Sequence, residues 1–135
     1  MYSFPRKRLA ALTVVVAASV ACSSTSSSLP DCTGAVTITA TAGTTPRFSW
    51  TPACQVEGLI VAFPGPGAIV WNVESASQTN TIGPGVRYGV APAGATVVTA
   101  PAALVAGTSY TVTLFRFDDG HGGSIQSAGG LTFVP

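Results

Sequence analysis

The segment AVTITATA, residues 35–42, constrains the fold more than any other part of the chain. Val36, Ile38 and Ala40 alternate with Thr37, Thr39 and Thr41, giving one apolar face and one hydroxyl face at a period of two. The same logic recurs downstream. RFSWT places Phe48 and Trp50 on one side, and GLIVAF from Gly58 is a continuous apolar run of strand length. TSYTVTLFRF from Thr108 sets Tyr110, Val112 and Leu114 on one face. Turn residues punctuate these runs. Gly43 to Pro46 separates the first two, Pro64-Gly65-Pro66-Gly67 leads into AIVWNV, and DDGHGG leads into the closing SIQSAGGLTFV. No window of ten residues past Asp31 has helical spacing. Short strands at this spacing predict an all-β fold, a sandwich or barrel of antiparallel sheets.

Composition bounds the rest. The 135 residues suffice for one domain after a targeting segment. The chain is 47% hydrophobic and only 8% charged, which argues against disorder, because disordered chains stay soluble through charge and low hydrophobicity. Its 15 Gly and 10 Pro, with abundant Thr and Val, suit strands joined by turns. Three of the six basic residues, Arg6, Lys7 and Arg8, lie at the extreme N-terminus. Past Cys22 three arginines face five carboxylates, a formal charge of −2. No basic patch offsets phosphate charge, so nucleic acid is not an expected partner.

MYSFPRKR followed by LAALTVVVAASVA has the charged start and short apolar run of a secretory signal. Leu9 to Ala21 is 13 residues, short of the roughly 20 that cross a bilayer as a helix. Small residues Ser19 and Ala21 precede Cys22 at the −3 and −1 positions, which suits ordinary signal cleavage. Ser19-Val20-Ala21-Cys22 also resembles the lipobox of bacterial lipoproteins, with Ser19 where that family usually has Leu. The resemblance implies that Cys22 is lipidated and becomes the new N-terminus. The chain then divides into a signal peptide (1–21), a lipidated cysteine with a Ser-rich tether (22–31) and a folded domain (32–135). Residues 23–30 would reach at most roughly 28 Å from the membrane. Ser23 stands where inner-membrane lipoproteins often have Asp, so the resemblance points to the outer membrane or cell surface. The alternative is a soluble secreted protein whose Cys22 is free or bonded between chains.

Two further segments resemble a fibronectin type III domain, an immunoglobulin-like β-sandwich. Phe48-Ser49-Trp50-Thr51-Pro52 is similar to that family's second strand, whose Trp fills the core between the sheets. Leu104-Val105-Ala106-Gly107-Thr108-Ser109-Tyr110-Thr111-Val112 is similar to its L-x-x-G-T-x-Y-x-V signature, in which Leu and Tyr form a corner entering the sixth strand. Residues Ser75 to Gly94 exceed the family's usual connection there and are expected to add a strand or a long loop. On this layout the first two strands pair antiparallel and bring Cys32 and Cys54 to one end, within disulfide reach. The odd cysteine is then Cys22. The same layout gathers the N-terminus, Pro52–Gln55 and Asp118–Gly123 at one end.

Motifs for chemistry are sparse. His121, the one histidine, sits between glycines beside Asp118 and Asp119, with Ser124 near. A Ser-His-Asp catalyst needs these groups to converge from separate positioned elements, and one tight turn suits a hairpin connection better. The same loop has the atoms for a weak calcium site but not the spacing of a calcium loop. Gly65-Pro66-Gly67 and Gly83-Pro84-Gly85 open no helix and read as turns. Trp71 shares the apolar face of Ile69 and Val73, which favours the core, the other reading being a sugar-stacking platform. Arg87 and Tyr88 are the better candidates for an exposed contact. The expectation is therefore a monomeric, non-catalytic binding or structural module without cofactor or metal, whose partner is an envelope protein or, alternatively, a glycan.

Overall fold

The structure is a computed structural model that describes residues 28–135. The expected signal segment and Cys22, with most of the expected tether, lie outside the described residues. Among the described residues eight strands form: β1 (Thr37–Ala40), β2 (Arg47–Thr51), β3 (Gly58–Ala62), β4 (Ile69–Ser75), β5 (Val86–Arg87), β6 (Ala95–Thr99), β7 (Tyr110–Phe117) and β8 (Ile125–Phe133). They build two antiparallel sheets, ordered β1-β2-β5 and β6-β4-β3-β7-β8. The sheets pack face to face, so the all-β sandwich expected from the period-two pattern is what forms.

Alternation explains the core. Ile38, Phe48 and Trp50 turn inward from the small sheet, while Thr37, Arg47 and Thr51 on the same strands stay exposed. Leu59, Val61, Trp71, Val73, Val112 and Leu114 meet them from the large sheet, all fully buried. Phe48 packs edge-on against Phe133 at 5.3 Å between ring centroids. Tyr110 is buried, and its hydroxyl accepts a hydrogen bond from the Val105 amide at 3.1 Å. That bond holds the turn at Gly107, whose φ of 79° is in the left-handed region.

Cys32 and Cys54 form a disulfide with a Cα separation of 4.9 Å. Both are buried, and the Trp50 indole N–H donates to the Cys54 carbonyl at 2.9 Å. The bond thus joins the start of the small sheet to the core tryptophan. β1 has β2 on one side only, but its other flank is not free. The Val36 amide donates to the Ala128 carbonyl on β8 at 2.8 Å. A Cβ on Gly129 would lie 2.6 Å from the Val36 carbonyl oxygen, so only glycine lets the two sheets approach this closely.

One expectation about the strands needs correction. Ile69 does not share the buried face of Trp71 and Val73: it is 46% exposed. A register shift between Val61 and Ala62 pairs Val61 with Trp71 and Ala62 with Ile69, and the extra residue breaks the alternation. The long segment after Ser75 adds a strand, one of the two outcomes expected of it. It crosses to the small sheet, where Val86 pairs with Phe48, and the chain then returns as β6 along the free edge of β4.

One end of the sandwich collects chain from distant positions. The Gln55 amide donates to the Pro30 carbonyl at 2.7 Å, and the Cys32 amide donates to the Gln55 carbonyl at 2.9 Å. The Asn80 amide donates to the Gly120 carbonyl at 3.0 Å, and Thr79 bridges to His121. The Asp31 carboxylate lies against Gly120. Pro30 and Asp31 therefore lead into the sandwich beside the β7–β8 turn.

Candidate functional site

The β7–β8 turn uses its own polar groups. The Asp119 carboxylate accepts from the amides of His121 at 3.1 Å and Gly123 at 3.2 Å. The His121 amide in particular holds the Asp119 carboxyl below its usual range. Gly120 and Gly122 adopt positive φ to close the loop. His121 Nδ1 lies 3.7 Å from the same carboxylate, on the surface. Asp118 pairs instead with Arg116 at 3.4 Å and accepts from Gln126. These contacts are those of a capped hairpin turn, and Asp119 is already committed to backbone donors.

The aromatic candidates lie elsewhere than in a binding surface. Trp71 is fully buried, so it offers no face to a sugar. Tyr88, expected to be exposed, is 5% exposed. Its ring meets Trp71 edge-on at 5.1 Å, and its hydroxyl donates to the Ala102 carbonyl at 2.6 Å. Burial pushes the Tyr88 phenol up from its ordinary value. The cause is topological: the crossing to the small sheet turns Tyr88 inward while its neighbour Arg87 stays out. Arg87 is exposed and pairs in register with Arg47, whose guanidinium donates to the Gly85 carbonyl at 2.8 Å. Arg87 and Tyr88 thus face opposite ways and form no joint site.

A cleft of about 390 Å³ lies beside Tyr88, between Thr44–Thr45 and Pro101–Leu104. Its size suits a small ligand, but the Tyr88 hydroxyl is already used and no other titratable side chain lines it.

A smaller cavity of about 190 Å³ on the large sheet has the more unusual chemistry. Glu57 and Gly58 open it at the start of β3, Asn72 and Glu74 line it from β4, and Ile60, Phe115 and Ile125 supply apolar walls. Gly58 makes room here. A Cβ at that position would come within 3.1 Å of the Val73 carbonyl oxygen and 3.3 Å of the Glu74 side chain. Asn72 is 5% exposed; its amide nitrogen donates to Glu74 at 2.9 Å, while its buried Oδ1 has no partner among the described residues. Glu57 is 7% exposed. Burial first, and the nearby Glu74 second, push its carboxyl above the usual carboxylate range. The sequence drew no attention to these three residues. The available signal was polar Asn72 and Glu74 interrupting the otherwise apolar strand IVWNVES.

Glu57 therefore costs stability where it is ionised. Its folded pKa lies above its unfolded value, so the native state holds the proton more tightly. The penalty is complete above the folded pKa and is relieved as pH falls through it toward 4.5. Glu57→Gln is expected to raise the denaturation midpoint at pH 7, with the gain shrinking on acidification. Urea titrations of both chains across that range check the sign.

The chain matches no protein-family model, no curated protein and no solved structure.

Proposed function

We propose that the chain is an exported bacterial lipoprotein, anchored through Cys22, that presents one fibronectin type III-like sandwich as a non-catalytic module for binding an envelope protein. The observation that carries this reading is the Cys32–Cys54 bond. It uses two of three cysteines, fits an oxidising compartment, and leaves Cys22 no cysteine of its own chain. A bare thiol beside a serine tether would be exposed and reactive, whereas a thioether to lipid is inert. Several acyl chains, at about 0.8 kcal/mol per buried methylene, would hold the protein stably on a membrane.

The sheet order β1-β2-β5 against β4-β3-β7-β8 and the hydrogen bond to the Tyr110 hydroxyl support the type III reading. β6 is an addition to that plan, running along β4. Burial of Trp71 and Tyr88 takes away the candidate sugar-stacking platform and the ring expected at an exposed contact, which favours a protein partner over a glycan.

Fractionation tests the anchor. The unaltered chain is expected in the detergent-extractable membrane fraction, and Cys22→Ala in the soluble fraction or retained as precursor. Identical partitioning of the two would refute lipid attachment at this cysteine.

A further inference from the structure

Charge and apolar exposure are divided between the two ends of the sandwich. Gly58 stands opposite Phe115 and Glu74, so Glu57 and Glu74 lie at the end where Pro30 and Asp31 lead in. Asp118 and Asp119, and the Asp31 carboxylate beside Gly120, lie there too. All five Asp and Glu side chains of the described residues therefore gather at one end. The opposite end is built from the β1–β2 turn, the β3–β4 turn, the segment after β5, the approach to β7 and the C-terminal residues. Its charged side chains are Arg47 and Arg87, paired across β2 and β5. Neither forms an ion pair among the described residues.

Five of the nine large hydrophobic side chains exposed among the described residues project from this second end. They are Phe63, Ile69, Val90, Val105 and Val134, each between 40% and 59% exposed. Their segments are tied together. The Phe63 ring lies on Tyr110 at 5.1 Å, the Tyr110 hydroxyl holds the Val105 amide, and the Gly107 amide donates to the Pro135 carbonyl at 3.3 Å. Beside Ile69, the Ala102 amide donates to the Val70 carbonyl at 2.9 Å. The Val90 amide donates to the Arg87 carbonyl at 3.1 Å. These bonds fix the segments with their apolar side chains in solvent, a cluster of the kind that marks a contact surface.

We infer that this end docks on a lipid surface with anionic headgroups, the five apolar side chains entering the acyl boundary while Arg47 and Arg87 donate to headgroup phosphates. Two observations select lipid over a protein. The apolar side chains stand on separate loops and strand ends, and a fluid surface takes them without matching their shape, whereas a protein interface needs close complementarity. Charge then sets the direction. Anionic headgroups attract the arginine end and repel the end with five carboxylates. A guanidinium has five N–H donors, so the bond from Arg47 to the Gly85 carbonyl leaves others for phosphate. This contact does not rest on the acyl anchor proposed at Cys22, because Pro30 and Asp31 lead in at the other end.

The test uses the chain as cells process it, acylated or not, mixed with phosphatidylglycerol vesicles that carry a spin label on some headgroups. Phosphatidylcholine vesicles with the same label are the neutral control. Amide resonances close to the label broaden. Docking is expected to broaden Phe63, Gly107 and Val134 more than Asn80 and Gly120, whereas an acyl anchor alone would do the reverse. Arg47→Gln/Arg87→Gln should weaken docking on phosphatidylglycerol about tenfold or more. Val90→Ser/Val105→Ser changes two exposed positions and should weaken it as well, with the remaining amide positions unmoved as the sign of an intact fold. Equal broadening on phosphatidylcholine, or undiminished broadening in the arginine variant, would overturn the inference. So would broadening confined to Asn80 and Gly120, or none at all. Any of these results leaves the anchor at Cys22 standing, since mass and fractionation decide that separately.

Discussion

Trp71→Ala should lower the unfolding free energy by about 3–5 kcal/mol, the largest loss expected from any single substitution here. The indole is fully buried at the centre of β4, held between the Val61 strand and the edge-on ring of Tyr88. Its removal leaves a cavity that rigid sheets on both sides cannot close. Against a net stability of about 5–15 kcal/mol, this can unfold the domain at growth temperature. Trp71→Phe should cost much less. The buried indole N–H has no partner among the described residues, so a phenyl ring gives up no hydrogen bond to them. Thermal melts of the three proteins give the order native, then Phe, then Ala. A Trp71→Ala chain as stable as the native one would contradict a core role for this ring.

Removing the disulfide ranks second. Replacing both Cys32 and Cys54 with Ala frees a loop of 22 residues, and the chain-entropy estimate for that length is about 3 kcal/mol. At roughly 4–8 °C per kcal/mol for a domain of about 100 residues, the melting temperature should fall well outside experimental error. The double substitution is the informative one, since a single change leaves a reactive thiol in a buried setting. The hydrogen bond from the Trp50 indole ends on the Cys54 backbone carbonyl, so it survives the substitution. Hydrogen exchange should therefore rise first in Thr37–Ala40 and not in the Trp50 strand. Unchanged melting on reduction would show that the bond contributes little beside the β1–β2 pairing and the Val36–Ala128 contact.

Much of this fold was legible because alternation is a local property. Val36, Ile38, Phe48, Trp50, Tyr110, Val112 and Leu114 each face the way the period of two requires. The tyrosine whose hydroxyl holds the Gly107 turn was legible too, since a buried ring with a polar tip needs a nearby backbone partner. What escaped depended on register or on chain crossing. β6 hides because Val97 and Val98 stand side by side, both exposed, and the register shift opposite them is visible only in the pairing with β4. β5 is two residues long, too short to show any period. Tyr88 reads as a loop residue until the crossing to the small sheet is known. The Glu57, Asn72 and Glu74 cluster comes from two strands brought into register, Gly58 opposite Glu74 and Ile60 opposite Asn72. Spacing along one strand cannot show that.

Intact mass of the chain purified from membranes, recorded without reductant, probes the account at its root. The expected species begins at Cys22, carries the added mass of acyl chains on that residue, and is two hydrogens lighter than the fully reduced form because Cys32 is joined to Cys54. A product that begins elsewhere, or one with an unmodified Cys22 and three titratable thiols, would contradict it.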